Sequence, residues 1–232
     1  MSDTHAAIFC DFDGTISQAD IGYELFKHFS GGRSLSLIPD WKAGRISNRE
    51  ILEREAEMVH ATAEEILAFI DRYEIDSTFV EFERLCRGND IPVTVVSEGM
   101  DMYIRRLLGR NGLDNVSVIC NVGILENDGI RMEFPHRNAK CTRCGSCKGE
   151  RIQEFRRTAK NGTVMIFVGD GYSDACAAKE ADIVFAKKDL VRYCQAENIA
   201  YNAYDTFRDV TDWLVRQRYL IELHNSNRGK LS

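Results

Sequence analysis

Three short apolar runs interrupt a chain otherwise patterned for helices. Ala6-Ala7-Ile8-Phe9-Cys10, Val93-Thr94-Val95-Val96 and Val164-Met165-Ile166-Phe167-Val168 are too short for helices and read as buried strands. Val116 to Cys120 and Asp182 to Ala186 predict two more, the second closing the core. Residues Val122 to Phe134 predict a hairpin turning at Asn127-Asp128-Gly129. Between the first two strands the spacing is helical throughout. Tyr23, Phe26 and Phe29 share one helix face, which ends at Gly31-Gly32. Ser47-Asn48-Arg49-Glu50 and Thr62-Ala63-Glu64-Glu65 are capping-box patterns; Ile66, Phe69, Ile70 and Tyr73 follow the second at core spacing. Phe79, Phe82 and Cys86 line a helix that leads into the second strand. Later helices are marked by Met100, Ile104, Leu107 and Leu108, by Ile152, Phe155 and Ala159 after Lys148, and by Phe207, Val210, Leu214 and Ile221, with a polar tail from His224.

Strands alternating with helices predict an α/β fold, a Rossmann-like parallel sheet covered on both faces. The expected core is residues 1–16 and 88–232, carrying a β-hairpin, with a helical cap inserted at 17–87. Polar residues gather where the strands end. Asp11-Phe12-Asp13-Gly14-Thr15 follows the first strand, Ser97-Glu98-Gly99 the second, and Gly169-Asp170-Gly171-Tyr172-Ser173-Asp174 the third. Ligands of open α/β sheets bind at these carboxyl ends. An aspartate there can attack phosphorus while a divalent cation screens its charge. Gly14 permits a sharp turn, and the Thr15 hydroxyl can meet a phosphate oxygen. Taken singly, Asp and Gly are ordinary turn residues. Acids at two strand ends, a serine at another and Lys148 between them are together the parts for metal-assisted phosphoryl transfer.

In order, spacing and flanking strands, these segments resemble the four motifs of the haloacid dehalogenase superfamily, in its phosphoserine-phosphatase-like branch. The resemblance runs from about Ile8 to Ala186. It implies Asp11 as nucleophile, Asp13 as the acid that protonates the leaving alcohol and later activates water, and Ser97 and Lys148 as holders of the phosphoryl oxygens. It also implies a Mg²⁺ site from the Asp11 carboxylate, the Asp13 backbone carbonyl and Asp170, with Asp174 orienting Lys148 or a metal-bound water. The expected activity is a Mg²⁺-dependent phosphomonoesterase that passes through an aspartyl-phosphate, with a small phosphorylated metabolite as its partner. The Cys-rich loop before Lys148, with Phe134-Pro135-His136, resembles the methionine-salvage phosphatases of this branch. Phosphoserine phosphatase is the second reading. A non-catalytic zinc-binding interaction module is a third, and the set Asp11, Asp13, Lys148 and Asp170 argues against it.

Other residues carry two readings each. Asp20 stands where phosphoserine phosphatases place a substrate-reading Glu, and it also suits the N-cap of a helix at Ile21. Arg49 and Arg54 on the second cap helix could meet an anionic group or lie on a solvated face. Glu98 replaces the branch's usual Gly; beside Gly99 it faces the cap to read substrate or points outward. Cys141, Cys144 and Cys147 at spacing three, with His136, could hold a structural Zn²⁺ that pins the loop of Lys148. A reduced loop without metal is the other reading. Cys10, Cys86, Cys120, Cys176 and Cys194 fall in strand or helix patterns and read as core.

At 232 residues and 44% hydrophobic content the chain can bury a full core and a small second domain. A net charge of −6 gives no support for nucleic acid binding. Met1-Ser2-Asp3-Thr4-His5 shows no secretory signal, and no run approaches the roughly 18 apolar residues of a membrane span. A cytoplasmic location is therefore expected, where the eight cysteines stay reduced. Oligomeric state is not encoded in any of these patterns.

Overall fold

A computed structural model describes residues 5–138, 141 and 143–220. Strand β1, Ala6–Cys10, is buried along its whole length. Its alternation sorts the core into two layers: Ala6, Ile8 and Cys10 face one, Ala7 and Phe9 the other. The remaining strands are β2 Val93–Met100, β3 Ser117–Glu126, β4 Gly129–Glu133, β5 Val164–Gly169, β6 Ile183–Ala186 and β7 Asn202–Ala203. Among the described residues they form one sheet in the order β4-β3-β2-β1-β5-β6-β7, parallel except for the β3–β4 hairpin. Ile8 lies opposite both Val93 and Ile166, so β1 is central. The chain moves to β2 on one side and to β5 on the other, which puts the end of β1 at a topological switch point.

Helices α1 Ile21–Phe29, α2 Ile38–Lys42, α3 Asn48–Ala56 and α4 Ala63–Ile70 make the insertion after β1. Helices α5 Ser77–Gly88, α6 Asp101–Arg110 and α10 Phe207–Arg216 cover one face of the sheet. Helices α7 Lys148–Thr158, α8 Ala175–Glu180 and α9 Lys188–Glu197 cover the other. Both expected capping boxes form: Ser47 and Glu50 bond reciprocally at the start of α3, Thr62 and Glu65 at the start of α4. Such caps are worth about 1 kcal/mol each. Helix α1 stops where Gly31 and Gly32 take φ of 61° and 83°.

Three boundaries differ from the sequence expectation. Helix α5 falls inside the expected cap range, yet it packs on the sheet. Phe79 meets the Phe207 ring of α10 edge-on at 4.8 Å. The passages into and out of the insertion lie side by side, where Ser17 and Ile75 pair in an isolated bridge. The strand expected at Val116–Cys120 and the first hairpin arm are one continuous β3, in which the turn-prone Asn121 is buried and donates to the Glu98 carbonyl at 2.6 Å. Strand β6 is not the last; the short β7 adds beside it. Ile221 and the tail from His224 lie outside the described residues. No helix among the described residues is long and apolar enough to cross a membrane.

Candidate active site

Asp11 is the first residue beyond β1, held in line by its N–H on the Val168 carbonyl, 2.9 Å away. Its Oδ1 accepts from the Phe12 N–H at 2.7 Å and pairs with Lys148 Nζ at 2.7 Å. Lys148, at the first turn of α7, is buried and also pairs with Asp174 at 2.5 Å. Asp174 in turn receives the N–H groups of Asp170 and Gly171 at 2.9 and 3.0 Å. It therefore ties the lysine to the loop after β5. Burial opposes the lysine's charge, but Asp11 and Asp174 outweigh it and hold its pKa above the ordinary value. Burial, then Asp174, push Asp11 up, while Lys148 pulls it down. Removing one partner of so buried a pair typically costs about 3–5 kcal/mol.

Asp13 is fixed by two donors: the Ile21 N–H at 2.9 Å on Oδ1 and the Tyr103 hydroxyl at 2.6 Å on Oδ2. Burial, with Asp20 adding, pushes its pKa up to about 7. A carboxyl poised there can both give and take a proton at neutral pH. Tyr103 can approach only because residue 99 lacks a side chain. A Cβ on Gly99 would collide with the tyrosine hydroxyl and lie 2.5 Å from Asp13 Oδ2. Gly14 has φ +73°, and a Cβ there would strike the Asp170 carboxylate.

These groups floor a cavity of about 530 Å³ roofed by the cap. Asp11, Asp13, Ser97, Glu98, Gly99, Lys148 and Asp170 all line it, and so does Asp20. Asp20 is also the N-cap of α1, accepting the Tyr23 N–H at 2.9 Å. Ser97 Oγ accepts the Gly99 N–H at 2.9 Å. Glu98 faces the cap: it takes Asn48 of α3 at 2.7 Å and the Gly145 N–H at 3.1 Å. Thr15 departs from expectation. It donates to Asp170 at 3.3 Å, and it is not part of the cavity wall. Arg49 and Arg54 are also absent from that wall; Arg49 pairs with Glu53.

The Cys loop also differs. Cys144 and Cys147 converge with Cys176 of α8, not with His136 and Cys141. His136 lends its carbonyl to the Cys147 N–H, while its ring, its pKa lowered by burial and then by Arg151, lies toward α7. Cys176 had read as core from a helical pattern that says nothing of which loop packs against it. Cys10, Cys86, Cys120 and Cys194 are buried as expected.

Four wall or floor groups carried little sequence signal. Tyr103 of α6 is not among the positions that mark that helix, and only its hydroxyl, which must find a partner when buried, could have singled it out. Lys188 pairs with Asp170 at 2.8 Å and the Gly14 carbonyl at 3.1 Å; it follows β6, whose end carries the single acid Asp189, too little to mark a site by itself. Glu55 of α3 is buried, and burial, then Asp20, push its pKa up to about 8. Trp41 of α2 lies beyond any periodicity long enough to read.

A central aspartate at a switch point, a paired acid, a buried lysine and a helical roof together make up a polar site at the carboxyl edge of the sheet. The family model of haloacid dehalogenase-like hydrolases matches residues 8–179, and the chain belongs to that family. It is 31% identical, over 90% of its length and 95% of the relative's, to 2-hydroxy-3-keto-5-methylthiopentenyl-1-phosphate phosphatase of Geobacillus thermodenitrificans. It is 32% identical, over 88% of its length and 90% of the relative's, to polyol phosphate phosphatase PYP1 of Saccharomyces cerevisiae. Its fold is similar to a phosphoserine phosphatase solved as a phospho-aspartyl intermediate analogue, with a TM-score of 0.69 at 18% identity over 91% of this chain and 99% of that one. Within the family the protein is a phosphoric monoester hydrolase.

Proposed function

We propose that the protein is a Mg²⁺-dependent phosphatase of a small phosphorylated metabolite that carries no carboxylate, with 2-hydroxy-3-keto-5-methylthiopentenyl-1-phosphate the leading substrate. The observation that carries this reading is the cavity wall. Above the Asp11 and Asp13 floor it offers Glu55, Glu98 and Asp20, together with apolar Phe26, Ile38, Trp41, Ile51 and Leu52. Among the described residues no arginine lines it, and Lys42 is the cation on its cap side. A phosphoserine carboxylate would meet Lys42 against the three acids Glu55, Glu98 and Asp20, at a cost in desolvation. A methylthio chain suits the apolar patch, and keto and hydroxyl oxygens suit a protonated Glu55. The name of the Geobacillus relative supports the same choice. The polyol phosphate relative keeps hydroxyl-rich substrates as a second reading.

The residues fit Mg²⁺. Oxygens of Asp11, Asp170 and Asp174 lie within 4.8 Å of one another. Hard carboxylate oxygens suit that ion. Asp11, Asp13, Asp20, Asp170 and Asp174 also outnumber Lys148 and Lys188, so a divalent cation would balance the site. Asp11 and Asp170 would hold it, with the Asp13 carbonyl; bound there, it neutralises phosphoryl charge and keeps Asp11 ionised. Lys148 and the Phe12 N–H engage Asp11 Oδ1, which leaves Oδ2 to attack phosphorus. The bond to the leaving oxygen breaks, and Asp13 gives that oxygen its proton. Asp13, now ionised, takes a proton from water, whose oxygen attacks the aspartyl-phosphate; phosphate leaves and Asp11 is restored. Ser97 and Lys148 steady the transferring oxygens, and the cap limits entry of bulk water.

A panel of phosphorylated metabolites, each with Mg²⁺ and with EDTA, tests the reading. The expected result is Mg²⁺-dependent release of phosphate, with the methylthio keto-phosphate or a polyol phosphate preferred over phosphoserine. Phosphoserine as the best substrate would overturn the cavity argument, and full turnover in EDTA would overturn the metal.

A further inference from the structure

The sulfur atoms of Cys144, Cys147 and Cys176 lie within 4.8 Å of one another, outside the phosphate site. They come from two segments: the turn that ends at α7, of which Cys147 is the N-cap, and the first turn of α8. The geometry points to a structural thiolate metal site, with Zn²⁺ held by Cys144, Cys147 and Cys176.

Zinc–sulfur bonds of about 2.3 Å in a tetrahedron place sulfurs about 3.8 Å apart. Three sulfurs already inside 4.8 Å need to close by only about 1 Å to reach that spacing. A disulfide would use two thiols and leave the third without a purpose. Donors already point at the sulfurs: the Gly149 N–H reaches Cys176 Sγ at 3.4 Å, and Asn138 Nδ2 reaches Cys147 Sγ at 3.9 Å. N–H groups directed at sulfur are what stabilise thiolate ligands from behind. The approach is built into the backbone as well, since a Cβ on Gly149 would lie 2.9 Å from the Cys176 carbonyl oxygen. Cys144 and Cys176 are half-buried, so the metal can enter from solvent.

The two segments are the ones that hold the ends of the Lys148–Asp174 pair. Cys147 immediately precedes Lys148, and Cys176 follows Asp174 by one intervening residue. A metal there staples the lysine to its carboxylate partner without touching substrate.

Full-length protein produced with added zinc and purified without chelator should carry about one zinc per chain by elemental analysis. Cys176→Ser and Cys147→Ser should each fall below about a tenth of that, whereas Asp170→Asn, which disturbs the Mg²⁺ site, should keep it. Cobalt-loaded protein should show thiolate-to-cobalt charge-transfer absorption that Cys176→Ser loses. If the cysteine variants fail to fold, wild-type protein titrated with an organomercurial should release its zinc to a chromogenic indicator as thiols are consumed. Zinc below about a tenth per chain after loading with excess zinc chloride overturns the site. So does zinc that leaves with Asp170→Asn and stays with Cys176→Ser, or a disulfide among the three cysteines in the folded protein.

Discussion

Tyr103→Phe removes one oxygen and tests the proton-transfer role of Asp13. In the folded chain that hydroxyl donates to Asp13 Oδ2 at 2.6 Å. Burial, then Asp20, raise the Asp13 pKa to about 7, and the Tyr103 bond is the largest influence opposing them. A hydrogen bond to a charged group contributes about 1.5–3 kcal/mol, so its loss should raise the Asp13 pKa by about one to two pH units. The sign follows from which form is bonded: the hydroxyl favours the ionised carboxylate, and without it the proton is kept to higher pH. Asp13 must be protonated to assist the leaving alcohol. The alkaline limb of kcat/KM on an alkyl phosphate, near pH 7 in the wild type, should therefore move to about pH 8–9 in the variant. At pH 9 roughly one wild-type molecule in a hundred would hold the proton, against about a tenth to a half of the variant. With an aryl phosphate, whose leaving group needs no proton, the limb should flatten in both. Substrate ionisation and Mg²⁺ are common to both proteins and cancel in the comparison. The assay is steady-state hydrolysis of both substrates across pH, with thermal unfolding to verify the fold. A limb that stays in place in folded Tyr103→Phe, or an equal shift with the aryl substrate, would refute the assignment of Asp13.

Gly99→Ala puts a methyl between Tyr103 and Asp13, so it should break the same hydrogen bond and move the alkaline limb on an alkyl phosphate up by about one to two pH units. Adding Tyr103→Phe should shift the limb little further, because both changes break one contact, and full additivity of the two shifts would contradict this. Asp11→Asn keeps size but removes the attacking charge; activity above about a tenth of wild type, a loss under about 1.4 kcal/mol of barrier, would remove Asp11 from the nucleophile's role. Glu55→Gln tests the wall. The Glu55 pKa is raised to about 8, so its favourable contribution is complete below the ordinary carboxylate range and is lost as pH rises through about 8. The variant's melting temperature should fall less than the wild type's between pH 5 and pH 9, and parallel curves would deny Glu55 that raised pKa.

Much of the architecture could be read along the chain because its causes are local. β1 alternates into two core layers from five adjacent side chains, and the capping boxes at Ser47 and Thr62 are closed by residues three positions apart. Asp11, Asp13 and Asp170 were legible because strand ends in an alternating chain are forced to one edge of the sheet, so acids that follow strands must meet. What no local pattern carries is which distant side chain turns toward that edge. Tyr103 reaches Asp13 across 90 residues, a contact that exists only once α6 has packed on the sheet. The same holds for α5, whose amphipathic face would suit a cap or a core until Phe79 meets Phe207. Cys176 has the helical spacing of a core residue, and only the docking of α7 against α8 brings it to Cys144 and Cys147. Periodicity specifies which face of an element is apolar; what that face meets is decided by packing, where burial energy is summed over the whole chain.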